Sequence, residues 1–457
     1  MTYQSGPGIS SPQQYRLVQV AVSSDGQKFA NLLPFVEEIS LFEDIFAPAV
    51  NGFAFIRDDR SMIEYLNISG FNYITIAFNK FGENDTSTAI TKLFRVYKVG
   101  ERVQSSRTVE GYPIYFCSEE RLLSEQTKLV KSYPNTIISD VVSDILSNVL
   151  KIDPTKIKTI EPTLGPYSFI IPNIKPFEAI NWLSTYARPS NTNYIGADML
   201  FFENNNGFYF RSLQSMYAQN TAATYNYNPQ NVSSSQTFYN FYTILSYRII
   251  KSFDTLETIK DGGFANKLVS IDPLIRNIKT TTFNFNDSGD SKSKPYFSNS
   301  KSLNKFPLEK ETKNRLGKTP SQSSDAVFKI AAGNSEQRKF GPIIGDPKNF
   351  ATTVADIAIE TYVPYRTAQL VLSNQVKVEI TIPGDPSLCV GTTINLSLPS
   401  TASTSKPTDK YYAGKYLITA IRHKIDNTGL YHSIIEASSD SVSAQYSSGS
   451  TESLSAG

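Results

Sequence analysis

The stretch "KYLITAIRHKIDNTGLYHSIIEASSD", Lys415 to Asp440, decides how the C-terminal part of the chain folds. Residues alternate in character through Tyr416 to Ile425 and again through Leu430 to Ala437, with Asp-Asn-Thr-Gly between the two runs. A period of two, interrupted by a short glycine-closed break, predicts two antiparallel strands joined by a turn. With a four-residue loop Asp426–Gly429, Ile425 faces Leu430 and His423 faces His432, whereas a slip of one residue separates the imidazoles. These are the chain's two histidines. Zinc takes three or four protein ligands, and neither Cys117 nor Cys389 stands at a spacing such sites use. The pair is therefore expected to be structural, with no metal, cofactor or catalytic role.

At 457 residues the chain exceeds what one hydrophobic core sustains, so two to four domains are expected. Aromatics make up 12% of it, 28 Phe and 26 Tyr against one Trp, a balance that suits strands better than a helical bundle. The net charge of +2 supplies no global field of the kind that marks a nucleic-acid or membrane-surface binder. Two distant cysteines make no disulfide framework, and no run of 18 apolar residues appears. A soluble protein made in a reducing compartment is expected, with no stable membrane insertion.

Residues 1–14, "MTYQSGPGISSPQQ", read as an arm. Short alternating runs follow, "YRLVQVAV", "FVEEISLFE", "NGFAFIRDD", "YITIAF", "LFRVYKV" and "YPIYFCS", and predict a first β-barrel over 15–122. The acidic doublets Glu37-Glu38, Asp58-Asp59 and Glu119-Glu120 point to opposite faces of a strand, so they read as solvated strand ends rather than as a general acid and base. In "NTIISDVVSDILSNVL" Ile138, Val141, Val142, Ile145 and Val149 recur at helical spacing, and "KPFEAINWLSTYARP" repeats the device behind Pro176. With "MLFFENNNGFYFRSL" as a hairpin, 123–216 is expected to be a small α+β domain in which Trp182 packs.

Residues 217–240 read as a linker, and β structure returns at 241–285. The stretch 286–342 shows no periodicity and an excess of Lys; it reads as a solvated insertion or a basic strap. Helical spacing in "NFATTVADIAIETYVPYRTAQLVLSNQ" is expected to break or kink at Pro364. In "VKVEITIPGDPSLCVGTTINLSLPS" Gly384 stands where a Pro-Gly turn commonly wants positive φ, and Gly391 permits a sharp bend. Residues 343–441 thus complete a second barrel with its preceding helix, and 442–457 form a Ser/Gly tail.

An internal echo links the parts. "KLFRVYKVGERVQSSRTVEGYPIYFCSEE", Lys92 to Glu120, shares with the opening stretch a Lys, an alternating strand, a polar turn, a Tyr-led return strand and an acidic end. "NYITIAF" and "TTINLSL" precede the two copies. The fold class expected is therefore mainly β with α+β insertions: two similar barrels per chain plus a small α+β domain.

"RTAQLVLSNQVKVEITIPGDPSLCVGTTINLSLP", "GKYLITAIRHKIDNTGLYHSIIEASSDSV" and "LFEDIFAPAVNGFAFIRDD" resemble the baseplate hub proteins of contractile-tailed, T-even-like bacteriophages, which are related to the hub part of type VI secretion spikes. The resemblance spans most of 15–441 and implies two tail-tube-like barrels per chain. It implies a homotrimer with pseudo-sixfold symmetry that joins the hexameric tail tube protein to the trimeric central spike protein, amid other baseplate proteins. The implied location is the virion's tail baseplate, after synthesis in the host cytoplasm, with transient passage of DNA through the lumen. Lys292, Lys294, Lys301 and Lys305 are then expected away from the channel wall. It implies no enzyme, and His423, His432, Gly384 and Gly391 become structural residues of the second barrel. The insertion at 286–342 and the Ser-rich tail depart from the pattern. A receptor-binding or spike-associated tail protein is the alternative, and a tail-associated peptidoglycan hydrolase a further one; no HExxH, GxSxG or Gly-rich phosphate loop supports the last.

Overall fold

The structure is a computed structural model and describes residues 15–80, 90–191, 193–194, 197–227, 242–272, 277–285, 302–307, 313–322, 328–332, 359–400, 408–409 and 411–444. The N-terminal arm, Lys292, Lys294, Lys301 and most of the C-terminal tail lie outside these residues. The chain is mainly β.

The strands, in chain order, begin with β1 (Tyr15–Ser23), β2 (Ala30–Asn31), β3 (Val36–Asp44), β4 (Asn51–Asp58), β5 (Tyr73–Lys80), β6 (Ile90–Val99), β7 (Val103–Ser106) and β8 (Val109–Cys117). In the middle come β9 (Leu129–Thr136), β10 (Ile157–Ile160), β11 (Tyr167–Ile174), β12 (Met199–Asn204), β13 (Gly207–Ser212), β14 (Thr221–Tyr227), β15 (Thr243–Ile244) and β16 (Ser246–Ser252). Then follow β17 (Ala265–Asp272), β18 (Asn277–Asn284), β19 (Phe306–Pro307), β20 (Phe328–Ala332), β21 (Val376–Pro383), β22 (Thr393–Ser397), β23 (Gly414–Asp426), β24 (Tyr431–Ser439) and β25 (Ser441–Val442).

Alternation does what the pattern requires. In β21, Val376, Val378, Ile380 and Ile382 are buried while Lys377, Glu379 and Thr381 point outward; in β8, Tyr112, Ile114 and Phe116 are buried. The hairpin of the opening stretch forms as β23 and β24, but its register is one residue from the expected one: His423 pairs with Ser433, Lys424 with His432 and Ile425 with Tyr431. The loop is Asn427–Gly429, because the Asp426 N–H donates to the Leu430 carbonyl (3.1 Å) and Gly429 takes φ 83°. A three-residue loop closed by a left-handed glycine sets this register, and it places the two histidines on opposite faces.

Two β units share one strand order. The first runs β2-β1-β5-β6-β8-β4-β3, and the second runs β15-β14-β22-β23-β24-β21-β16. The equivalent strands also follow one another in the same order along the chain, with 253–375 inserted between the third and fourth of the second set. The hairpins even share a bulge at one place: β6 skips a partner at Tyr97 and β23 skips one at Thr419. Just before each bulge, Val96 N–H donates to Asn72 O (2.8 Å) and Ile418 N–H to Thr392 O (2.9 Å). The echo seen in the sequence is thus a repeat of topology. One strand differs, since β14 runs parallel to β22 where β1 runs antiparallel to β5.

The units are fused by one ladder. The second half of β23, Ala420 to Asp426, pairs antiparallel with β3 from Asp44 back to Glu38, so a single sheet continues from one unit into the other. Hydrophobic cores follow the same logic. Ile421 and Ile435 belong to the core of the second unit, while Ile425 and Tyr431, nearer the tip of the same hairpin, belong to the core of the first. A third core, with Val141, Ile145, Phe177, Ile180, Phe208 and Phe210, fills the α+β part, where helices Ile138–Asp144 and Pro176–Ser184 pack with β9–β13; Trp182 lies against it, half-buried.

Four stretches differ from the sequence reading. The expected linker 217–240 contains β14, which escaped notice because only Tyr225 of its mostly polar residues points fully inward. Within 286–342, β20 pairs in parallel with β17, and β19 pairs with β25. Asn304 is bound in the same region: its Nδ2 donates to Lys415 O (2.9 Å) and its Oδ1 accepts from Lys415 N–H (2.8 Å). Val442, assigned to the tail, is buried in β25. Finally, the helix Ile359–Leu372 continues through Pro364, whose ring removes one backbone bond; Ala368 and Leu372 pack on Phe283 and Phe285, and Asn266 Nδ2 donates to the Pro364 carbonyl (3.1 Å). The expected "NFATTVAD" part of that helix lies outside the described residues.

Candidate functional site: the buried junction of the two units

Beneath the β23–β3 ladder three parts of the chain converge. From the first unit come Glu43 of β3 and Lys92 of β6; from the α+β part comes the β12–β13 turn, Asn204 to Gly207; from the second unit comes the turn that precedes β22. Glu43 faces inward because it is in phase with Ile39 and Leu41 on β3, and Lys92 because it is in phase with Phe94 and Val96.

Glu43 ties the parts together. It accepts hydrogen bonds from the backbone N–H of Asn205 (2.8 Å) and of Val390 (3.1 Å). Glu203, in phase with Phe201 on β12, reaches the other way and accepts from Val50 N–H (2.9 Å) and Ser118 Oγ (2.5 Å). The asparagine turn completes the tie: Asn204 Nδ2 donates to Val390 O (3.2 Å), Asn205 Nδ2 to Pro386 O (3.1 Å) and Asn206 Nδ2 to Cys389 Sγ (3.4 Å). Lys92 Nζ donates to the carbonyl of Asn205. The turn is tight enough to require glycine, since Gly207 takes φ 143° with the Lys156 carbonyl 2.0 Å from where a Cβ would stand.

Burial sets the charges. It pushes Glu43 and Glu203 up to about 7, against the pull of the N–H and hydroxyl groups they accept from, and it pushes Lys92 down. His423 is driven down to about 4, so its imidazole is neutral at neutral pH. Its Nδ1 lies 2.7 Å from Tyr431 Oη and 3.3 Å from Ser433 Oγ, while Nε2 stands 4.0 Å from Glu43, beyond hydrogen-bond reach. Cys389 is buried and its thiol is held protonated by burial. These groups bind units together; a cavity of ≈ 40 Å³ is all the space they enclose.

Of the residues singled out from sequence, His423 enters this junction and His432, half-buried opposite Lys424 and Pro383, does not. Gly384 lies beside it for a reason other than the one expected. Its φ is not in the left-handed region; instead a Cβ would stand 2.0 Å from Tyr431 Cγ, so the residue is small because the Tyr431 ring lies on it. Gly391 does take positive φ, 79°, and a Cβ there would stand 2.7 Å from Phe202 Cζ. Gly391→Ala is expected to cost about 3 kcal/mol, from left-handed backbone and crowding together, and to lower the urea midpoint of unfolding. An unchanged midpoint would mean that Phe202 gives way.

Among the described residues no group of three or more His, Cys, Asp or Glu is placed to hold a metal ion, and no helix is long and apolar enough to cross a membrane.

No family model matches the sequence, and no curated protein does. Solved structures do. The tail protein from Neisseria meningitidis MC58 aligns over 93% of this chain and 97% of its own, with a TM-score of 0.52 at 10% identity. The 43 kDa tail protein of prophage MuSo2 from Shewanella oneidensis aligns over 92% of this chain and 98% of its own, with the same TM-score of 0.52 at 9% identity. The chain has the fold of a phage tail protein. A type VI secretion component of E. coli, c3393, described as structurally similar to the T4 tail proteins gp27 and gp5, aligns over 93% of this chain and 76% of its own with a TM-score of 0.40 at 10% identity, too loose a fit to argue from.

Proposed function

We propose that the chain is a structural hub protein of a contractile phage tail baseplate. In this reading three copies form a ring of six similar tube-like barrels, which matches the hexameric tail tube on one side and the trimeric central spike on the other. The observation that carries it is the repeat: two units of one strand order, fused edge to edge by β23 and β3. A chain that presents the same shape twice converts threefold symmetry into near-sixfold symmetry, as a joint between a six-membered and a three-membered assembly demands. The buried junction supports the same reading, since its polar groups are spent on fixing one unit against the next. Other baseplate proteins would meet the outer face, and DNA would pass through the lumen without being held.

Native mass spectrometry of the purified chain is expected to give a trimer, and cryo-EM averages a ring with threefold symmetry and six similar lobes. A hexamer, or a particle without rotational symmetry, would sink the proposal.

A further inference from the structure

The fusion within the chain has two partner edges that the described residues leave open. β23 of the second unit pairs with β3 of the first, and the strands equivalent to these two are β6 and β16. Among the described residues β16 pairs only with β21, so its other edge carries no strand. β6 pairs with β5 as far as Arg95, and beyond Val96 the arm Lys98 to Ser106, through β7, pairs among the described residues only with β8. Each open edge is the counterpart of one that is filled inside the chain. Both also expose apolar side chains that a sheet edge ordinarily covers: Ile249 and Ile250 on β16, Val103 on the arm and Tyr97 just before it.

We propose that β16 of one copy pairs antiparallel with the Lys98–Ser106 arm of a second copy, repeating between chains the ladder that β3 and β23 form within one. The register follows from the repeat. Through their partners on β4 and β21, Ser40 corresponds to Arg248 and Glu38 to Ser246. Through their partners on β8 and β24, Lys424 corresponds to Val103, and Asp426, whose partner is Leu430, to Ser106, since the β7–β8 ladder skips Ser105. Within the chain Ser40 pairs with Lys424 and Glu38 with Asp426, so between chains Arg248 meets Val103 and Ser246 meets Ser106. Such a contact is head-to-tail: each copy offers one edge of each kind, and repetition closes a ring when the rotation closes. The occupant is a second copy of this chain because the chain itself supplies the template, the same two strand types already joined in register. The inference rests on the ring proposed above and says which edges make it.

Cysteine cross-linking tests it. Cβ atoms of facing residues in an antiparallel ladder stand about 5 Å apart, close enough for a disulfide after small adjustment. The native Cys117 and Cys389 are buried and stay out of the reaction. Chains carrying both Arg248→Cys and Val103→Cys are expected to give covalent dimers and trimers under mild oxidation, and neither single variant a trimer. Mixing the two single variants should give one heterologous dimer. Ser246→Cys with Ser106→Cys, two small changes at exposed positions, is a second pair in the same register and guards against a folding defect in the first. A trimer by native mass spectrometry that neither pair cross-links would overturn the edge pairing and leave the ring standing; a monomer would overturn both.

Discussion

Replacing Gly384 with valine is expected to be among the most damaging single changes in the chain. The position sits at the end of β21, where its N–H donates to the Tyr431 carbonyl (2.8 Å) and the Tyr431 ring covers the place of a side chain. A Cβ would lie 2.0, 2.2 and 2.4 Å from three ring carbons, and Tyr431 is itself fully buried, so the ring has no free volume to enter. Overpacking of this kind costs about 3 kcal/mol or more. The damage also travels. Tyr431 lies in the core of the first unit and its hydroxyl meets His423, so a displaced ring loosens the hairpin tip that fuses the units. Melting should fall by roughly 5 °C or more, with less of the proposed trimer in size-exclusion chromatography. Tyr431→Ala offers an internal check: in that background Gly384→Ala should cost much less than in the parent, because the colliding ring is gone. A parent-like melting point for Gly384→Val would show that the turn opens without cost. Gly317→Ala is the contrast, for Gly317 takes φ 74° with nothing within 4 Å, and only the backbone penalty of about 1–2 kcal/mol applies.

The strands of this protein were legible wherever one face is apolar. The hairpin Lys415–Asp440, the alternation of Val376–Ile382 and the Asn-Asn-Asn-Gly turn appear where their patterns place them, and so does the repeat of strand order. What escaped has physical reasons. The register of β23 and β24 depended on whether Asp426 belonged to the loop or closed it, a matter of one hydrogen bond that periodicity does not encode. β14 and β20 were missed because polar residues face solvent along the one and a Lys-rich surrounding hid the other. The junction groups were legible in principle. Glu43 follows Ile39 and Leu41 at a spacing of two, Glu203 follows Met199 and Phe201, and Lys92 precedes Phe94 and Val96. A charged residue in phase with a buried row is the signal of a buried charge. The nearby doublet Glu37-Glu38 masks it, because one member of any adjacent pair falls in phase with either face. That these three then find one another, across 160 residues of sequence between Glu43 and Glu203, is a tertiary fact that no local pattern carries.

Glu43→Gln is expected to change how stability depends on pH. In the folded chain burial holds Glu43 at about 7, whereas in the unfolded chain it returns to about 4.5. The folded state therefore favours the protonated acid. Its contribution is fully present below pH 4.5 and is lost as pH rises through 7, by about 3 kcal/mol in all, the free-energy equivalent of that difference. Glutamine does not titrate, so it carries none of this slope. Its amide oxygen keeps one of the two bonds from Asn205 and Val390, and whatever it forfeits there is the same at every pH. Comparing variant with parent at each pH thus removes the constant cost and isolates the titration. It also cancels His423, whose neutral form is favoured by folding: that contribution is present above pH 6.5 and is lost as pH falls through 4, opposite in sign to the glutamate's. Urea unfolding at pH 5 and at pH 8 should show Glu43→Gln gaining about 2–3 kcal/mol on the parent between the two. Glu203→Gln should behave alike, since burial raises it by the same cause to about 7. Parallel stability curves for parent and variant would mean that water or a cation reaches Glu43 and keeps it ionised, and that the junction is wetter than its packing indicates.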